Sequence, residues 1–377
     1  GRYSKAEKLY FEANTIIKNH FGTNHPDYAV SLKNLVSLCE KMGEYGKAEM
    51  YYQPLMYKYL YHIHVYFPSM NEKEKEAFYE TIKDDFEKFY GFAFSTSEFR
   101  KNEKERELLA NMYNYRLSTK ALLFNSTNKV RDRILGSNDT TLIQKYKQWR
   151  SDKDHLGKLY TLSIAEVKKQ GVSIDSLEAH ANMLEKELSK NSQLFAREFD
   201  KKIYDWKDVQ AQLKEDEAAV EIIRFRKYGT IVEKISFGDT IYHVQRDGFT
   251  EKVYYAALIL TTNELRFVIL ENGKELEKKY LNNYKNSIKF KASDKDSYEQ
   301  YWSKIAEALK GIKKVWFSPD GVYNQTNLAT LQNPESGKYL IEEIDIQLVT
   351  STKDLVEKVP NFKTQIQRKK MTMYIIT

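Results

Sequence analysis

The sequence predicts an α + α/β protein: an N-terminal α-solenoid, a long helical middle region and a C-terminal partial α/β sheet. Three observations carry that prediction. The opening "GRYSKAEKLY" returns after Met42 as "GEYGKAEMYY", an internal repeat. From Asn71 to about Leu213 the chain reads as amphipathic helices. Beyond Trp206 short β-rich apolar runs alternate with helical patterns, which suggests strands and helices in layers.

In the repeat, Ala6, Tyr10 and Ala13 match Ala48, Tyr52 and Leu55, and spacings of four and three put each trio on one helical face. A helix is expected between them from Asp27 to Met42, with Leu32, Leu35, Val36 and Cys39 as its apolar stripe. Pro26 before it and Gly43 after it are start and stop signals. Helix, glycine turn and helix at a fixed period is the pattern of stacked α-hairpins, in which each hairpin buries its face on the next. The repeat decays after Leu55. Pro54 is expected to break the helix and the array to end near Leu60, because proline removes a donor and clashes with the preceding turn.

In the middle region, Asn71 with Glu74 and Asp175 with Glu178 have capping-box spacing. Leu177, Leu184 and Leu188 make a stripe that reads as core, or as a seat for a partner helix. Toward the C-terminus, "AAVEIIRF", "YYAALIL" and "RFVILENG" read as strands, the last two joined at "TTNE" as a hairpin. A helix over "SYEQYWSKIAEALKG", a buried strand "KKVWFS" and the turn "SPDG" follow, where Pro319, Asp320 and Gly321 are structural turn residues. A further strand, "IEEIDIQLVT", leads to a helix capped by Ser351 with Asp354.

Two stretches resemble known families. "GTNHPDYAVSLKNLVSLCEKMGEYGKAEMYY" is similar to tetratricopeptide repeats, specifically the longer kind found in kinesin light chains. That resemblance implies that residues 1–60 are one and a half repeats, the first ten residues being the second helix of a repeat that begins upstream. The succession "WKDVQAQLKEDEAAVEIIRF", "YYAALIL", "VWFSPDGVYNQTNLATL" and "YLIEEIDIQLVTSTKDL" resembles bacterial CHAT-domain proteins, caspase-like cysteine peptidases attached to such repeats. It implies three parts: repeats over 1–60, a helical linker or bundle over 61–213, and the first half of a CHAT domain over 214–377.

Members of that family use a histidine and a cysteine as a catalytic dyad, the base activating a thiolate. Neither can be assigned here, since the last histidine is His243 and the single cysteine, Cys39, lies in the repeat. No catalytic residue is therefore named. Two readings stand: a truncated, non-catalytic relative acting through its repeats, or the front portion of a peptidase whose dyad lies beyond Thr377. The tail "RKKMTMYIIT" departs from the family's continuation and fits either.

For the first reading the candidate peptide-contact residues are Lys33, Asn34, Ser37 and Lys41, on the polar face of the helix over 27–42. In the resembling repeats an asparagine at the position of Asn34 holds the backbone of a bound peptide. The residues alone read first as a solvated helix face.

Composition bounds the alternatives. The net charge of +7 comes from 60 basic and 53 acidic residues mixed throughout, which gives nucleic-acid binding little support. The longest apolar run, "YYAALIL", is strand-sized, so no membrane span is expected. One cysteine rules out an internal disulfide and fits a reducing, cytoplasmic setting. "HIH" at His62 to His64 lacks a third ligand nearby and its residues point apart on a helix, so no metal is assigned. No phosphate loop, HExxH or GxSxG appears, and no cofactor is expected.

Overall fold

The computed structural model describes residues 2–23, 25–67, 70–97, 103–120, 131, 134–137, 139–159, 164–196, 204–237, 240–294 and 296–356. It has a helical part and, toward the C-terminus, a five-stranded mixed sheet. Contacts divide the chain into two units: the helices up to residue 101 with those of 121–203, and residues 102–120 with everything from 204 onward.

The helical unit begins with α1 (Arg2–Phe21), α2 (Pro26–Met42) and α3 (Tyr45–Tyr66), consecutive helices that pack pairwise. Helix α2 starts and stops where expected. Pro26 needs no amide partner in the first turn, and Gly43 turns into the left-handed region at φ 71°, its N–H reaching the Glu40 carbonyl. Leu32, Leu35, Val36 and Cys39 are all buried.

Pro54 does not end α3. The helix continues through it to Tyr66, and Leu55, Met56, Tyr59 and Ile63 beyond the proline are buried. The lost hydrogen bond and ring clash are offset by packing on both sides, notably Tyr52 against Phe89 and Phe92 and Tyr59 against Phe86. Those phenylalanines lie on α4 (Glu72–Ser97), which opens on the expected capping box: Glu74 N–H donates to Asn71 Oδ1 at 2.9 Å and Asn71 N–H to Glu74 Oε2 at 3.1 Å.

Three further helices of this unit are α6 (Thr140–Leu159), α7 (Ile164–Lys169) and α8 (Ile174–Ala196). The second expected capping box gives way to Ser173, whose Oγ accepts the Ser176 N–H, so that Asp175 sits inside the first turn. A serine two residues earlier leaves Asp175 to favour the helix dipole instead. Leu184 and Leu188 are buried, Leu188 in a cluster with Ile134, Leu142 and Tyr146, so that stripe serves its own core.

The second unit is built on the sheet β3-β2-β1-β4-β5. β1 (Glu217–Phe237), β2 (Thr240–Leu260) and β3 (Leu265–Leu270) form an antiparallel meander closed at Thr261 to Glu264. β4 (Lys314–Ser318) and β5 (Asp345–Leu348) add in parallel beside β1. One face carries Ala218, Val220, Ile222, Tyr255, Ala257 and Ile259 against the helices over 273–290 and 299–308. The other carries Ala219, Glu221, Ile223 and Phe225, and on this side lies α5 (Glu103–Thr119), with Leu109, Met112 and Tyr113 buried. A sheet covered on both faces explains why "AAVEIIRF" and "YYAALIL" are nearly continuous apolar runs.

Four features differ from expectation. β1 and β2 run on past the sheet as a two-stranded arm, which "AAVEIIRF" and "YYAALIL" alone did not foreshadow. The helical stretch over 273–290, wound wider at Leu276–Tyr280, has no start signal strong enough to read. The strand expected over 341–350 shrinks to Asp345–Leu348, because Leu340–Glu343 close into a helical turn in which Glu342 accepts the Tyr339 N–H. Finally, α5 belongs with the sheet although its neighbours in sequence are helices of the other unit. The Ser351 and Asp354 cap forms as expected, on a short 3₁₀ turn.

Candidate functional site

The four candidate peptide-contact residues all lie on α2 but divide into two pairs. Lys33 and Ser37 are taken up by α4: Lys33 Nζ lies 2.9 Å from Asp85 Oδ2, and Lys88 Nζ donates to Ser37 Oγ at 2.9 Å while pairing with Glu40 Oε2 at 2.9 Å. Asn34 and Lys41 are exposed, in line with Asp27 and Val30 on the same ridge. The result is an exposed ledge carrying a carboxamide, beside a face of α2 that two ion pairs hold against α4. An exposed carboxamide offers a donor and an acceptor together, the pair needed to read one peptide unit.

Sequence reasoning missed the α4 contribution, since Asp85 and Lys88 lie about fifty residues downstream and no spacing within α2 encodes their approach. Aromatic residues on α4 were the available signal, because Phe86, Phe89 and Phe92 had to find a partner and α3 supplies Tyr52 and Tyr59.

Cys39 is fully buried, and burial, with Glu7 nearby, pushes its thiol above the ordinary range. A protonated, enclosed thiol is a packing group rather than a nucleophile. On α3, His62 contacts Tyr66 and Phe78 and is pushed down by burial and by Lys58, whereas His64 is exposed.

The sheet unit holds a charged cluster that the sequence did not announce. Glu221 on β1 and Ser318 at the end of β4 are register partners on the α5 side of the sheet, and both are fully buried. Glu221 Oε1 meets Lys120 Nζ at 2.7 Å and accepts from Ser318 Oγ at 2.8 Å. Its Oε2 accepts from Thr352 N–H at 3.0 Å and Thr352 Oγ1 at 2.8 Å. Lys120 Nζ also lies 2.5 Å from Ser318 Oγ. Burial holds the Lys120 ammonium below its ordinary range, with Glu221 opposing. Tyr113 Oη meets Thr352 Oγ1 at 2.8 Å.

Beside this lies the "SPDG" turn. Asp320 Oδ1 accepts the Gly321 N–H at 3.0 Å, and its Oδ2 accepts the Arg224 N–H at 3.0 Å and pairs with Arg116 Nη2 at 2.8 Å. Gly321 is in the left-handed region at φ 53°, and an added Cβ would stand 2.2 Å from Tyr255 Oη. That hydroxyl accepts the Val322 N–H at 2.9 Å and donates to Glu277 Oε1 at 2.8 Å, which Arg224 also engages. The turn is structural, as its residues imply.

A serine beside a lysine is an arrangement that nucleophilic enzymes use. Here neither Ser318 nor Glu221 reaches solvent, so the cluster fastens α5 and the 350–352 segment to the strand ends and does not meet a substrate. Its one sequence signal was Glu221 itself, a lone carboxylate in an apolar strand, which must have a buried partner.

Among the described residues no group of three or more His, Cys, Asp or Glu side chains could hold a metal ion. No described helix is long and apolar enough to cross a membrane. Comparison with protein-family models, with curated proteins and with solved structures finds no match to this chain.

Proposed function

We propose that this chain is an interaction protein of the kind that joins tetratricopeptide repeats to a CHAT domain, acting without catalysis by holding a protein or peptide ligand on the α2 ledge. The supporting observation is the exposed Asn34, on the ridge beside the face of α2 that the Lys33–Asp85 and Lys88–Glu40 pairs hold against α4. Two fixed anchors hold the ridge in place, so an extended peptide can be bound with little ordering cost on the protein side. A reducing, cytoplasmic setting belongs to this reading and fits the single, enclosed Cys39. Nucleic acid and membrane form no part of it.

The test is selection from a random peptide library, followed by calorimetric titration of the selected peptide. Asn34→Ala should weaken binding by roughly tenfold or more, the scale of a paired carboxamide contact. Failure to select any peptide, or equal affinity of the variant, overturns the proposal.

The sheet favours a second reading, the front portion of a caspase-like cysteine endopeptidase. Its support is the parallel run β1-β4-β5, with the "SPDG" turn at the C-terminal end of β4, where open α/β sheets build their sites. It predicts that a chain extended past Thr377 cleaves protein and loses that activity when an added cysteine is replaced, while the present chain cleaves nothing.

A further inference from the structure

β1 and β2 leave the sheet at an irregularity between Arg226 and Tyr228, where the Arg226 guanidinium lies 4.2 Å over the Phe249 ring and Tyr228 meets that ring edge-on at 5.2 Å. Beyond it the two strands stay in register from Tyr228 opposite Phe249 to Phe237 opposite Thr240. Among the described residues β4 pairs with β1 only over 217–221 and β3 with β2 only over 255–260, so neither reaches this arm. A two-stranded ribbon has no second layer of its own, and such a hairpin is marginal in water. Alternation along the strands gives the arm two unlike faces. One carries Thr230, Val232 and Lys234 beside Asp247, Gln245 and His243. The other carries Ile231, Glu233 and Ile235 beside Arg246, Val244 and Tyr242. On this second face Ile235, Tyr242 and Val244 are 45%, 54% and 41% exposed. Glu233 and Arg246, diagonal neighbours there, pair through contacts of 2.5 and 3.1 Å and stay half-exposed.

We infer that this second face of the arm is a docking surface for the same face of a second copy of the chain. The ion pair decides the occupant. A wholly apolar partner would strip water from both charges without replacing it, which their mutual attraction offsets only in part. A partner of one charge would answer one of them and repel the other. A second copy presents one of each, so Arg246 of either copy can reach Glu233 of the other while Ile235, Tyr242 and Val244 are covered from both sides. Such a contact is isologous, the same patch serving both copies. A face roughly 30 Å by 10 Å buries about 300 Å² per copy, less than a standard interface, so the dimer is weak and reversible.

The test is sedimentation of the full chain at concentrations up to roughly 1 mM, with circular dichroism to show that each variant is folded as the parent is. A concentration-dependent dimer is expected, and Ile235→Lys should abolish it. Glu233→Arg and Arg246→Glu should each weaken it by roughly tenfold or more, because attraction between copies becomes repulsion. An equimolar mixture of those two variants should associate as the parent does, since one copy then presents two cations and the other two anions. Loss of the pair within a single arm cannot produce that recovery. A chain that stays monomeric overturns the inference, as does a dimer indifferent to these substitutions. Loss in both charge variants without recovery in the mixture overturns it too, because the pair then only props its own arm. Asn34→Ala should leave the dimer unchanged, so failure here and failure of the α2 ledge are told apart.

Discussion

Replacing Lys120 by methionine tests whether the Glu221 cluster fastens α5 to the sheet. The Glu221 carboxylate is fully buried and takes four contacts, of which the Lys120 ammonium at 2.7 Å is the closest charge. Methionine keeps the stem and removes the charge, leaving a buried carboxylate with only neutral donors and the Arg116 Nε at 4.0 Å. Breaking a buried pair from one side costs about 3–5 kcal/mol. With three donors retained and Arg116 near, the lower end, about 3 kcal/mol, is expected. Replacing both partners, as Lys120→Met with Glu221→Met, removes the stranded charge and should cost less than the sum of the single changes. The assay is urea unfolding followed by tryptophan fluorescence, since Trp206, Trp302 and Trp316 all lie in the sheet unit. A single-variant loss below about 1 kcal/mol, the scale of an exposed pair, or strict additivity in the double variant, would refute the fastening role.

Three further outcomes are expected. Glu277 is partly desolvated, yet Arg224 and Tyr255 hold its carboxyl below the ordinary glutamate range. Its folded value being the lower one, its contribution is present above the unfolded glutamate value and is lost as pH falls through the folded value. Glu277→Gln should therefore flatten the acid limb of a stability-against-pH curve in that window, and an unchanged limb would count against the assignment. Gly321→Ala should cost roughly 2 kcal/mol or more in chemical unfolding, because the left-handed backbone is strained and the Cβ displaces Tyr255 Oη from the Val322 N–H. Pro54→Ala restores a hydrogen bond within α3 and should stabilise the helical unit by about 1–3 kcal/mol in thermal melts by circular dichroism. A neutral or destabilising result there would mean that α3 is shaped around the proline.

How much of this was legible in the sequence depends on the range of the interaction involved. Pro26, Gly43, the Asn71 and Ser351 caps, the Thr261 to Glu264 hairpin and the "SPDG" turn were all readable, because each is settled by backbone chemistry within a few residues. So were the apolar stripe of α2 and the buried strands, since a fixed period places side chains on one face. Pro54 shows where local chemistry is overruled: its cost is local, but the aromatic packing that offsets it comes from α4. The candidate ledge shows the same division. Asn34 and Lys41 sit exposed as their helical phase dictates, whereas Lys33 and Ser37 are claimed by Asp85 and Lys88, whose approach no spacing within α2 encodes. The Glu221 cluster is the extreme case. It gathers Lys120 just past the end of α5, one residue each from β1 and β4, and a turn beyond β5, with 232 positions between Lys120 and Thr352. The sequence by itself determined the elements whose signals lie within a few residues, such as α2 between Pro26 and Gly43, the cap at Asn71 and the buried runs of β1 and β2, because those follow from neighbours along the chain. Only the tertiary structure decided which charges meet, because burial makes a carboxylate such as Glu221 demand partners without saying from where along the chain they come.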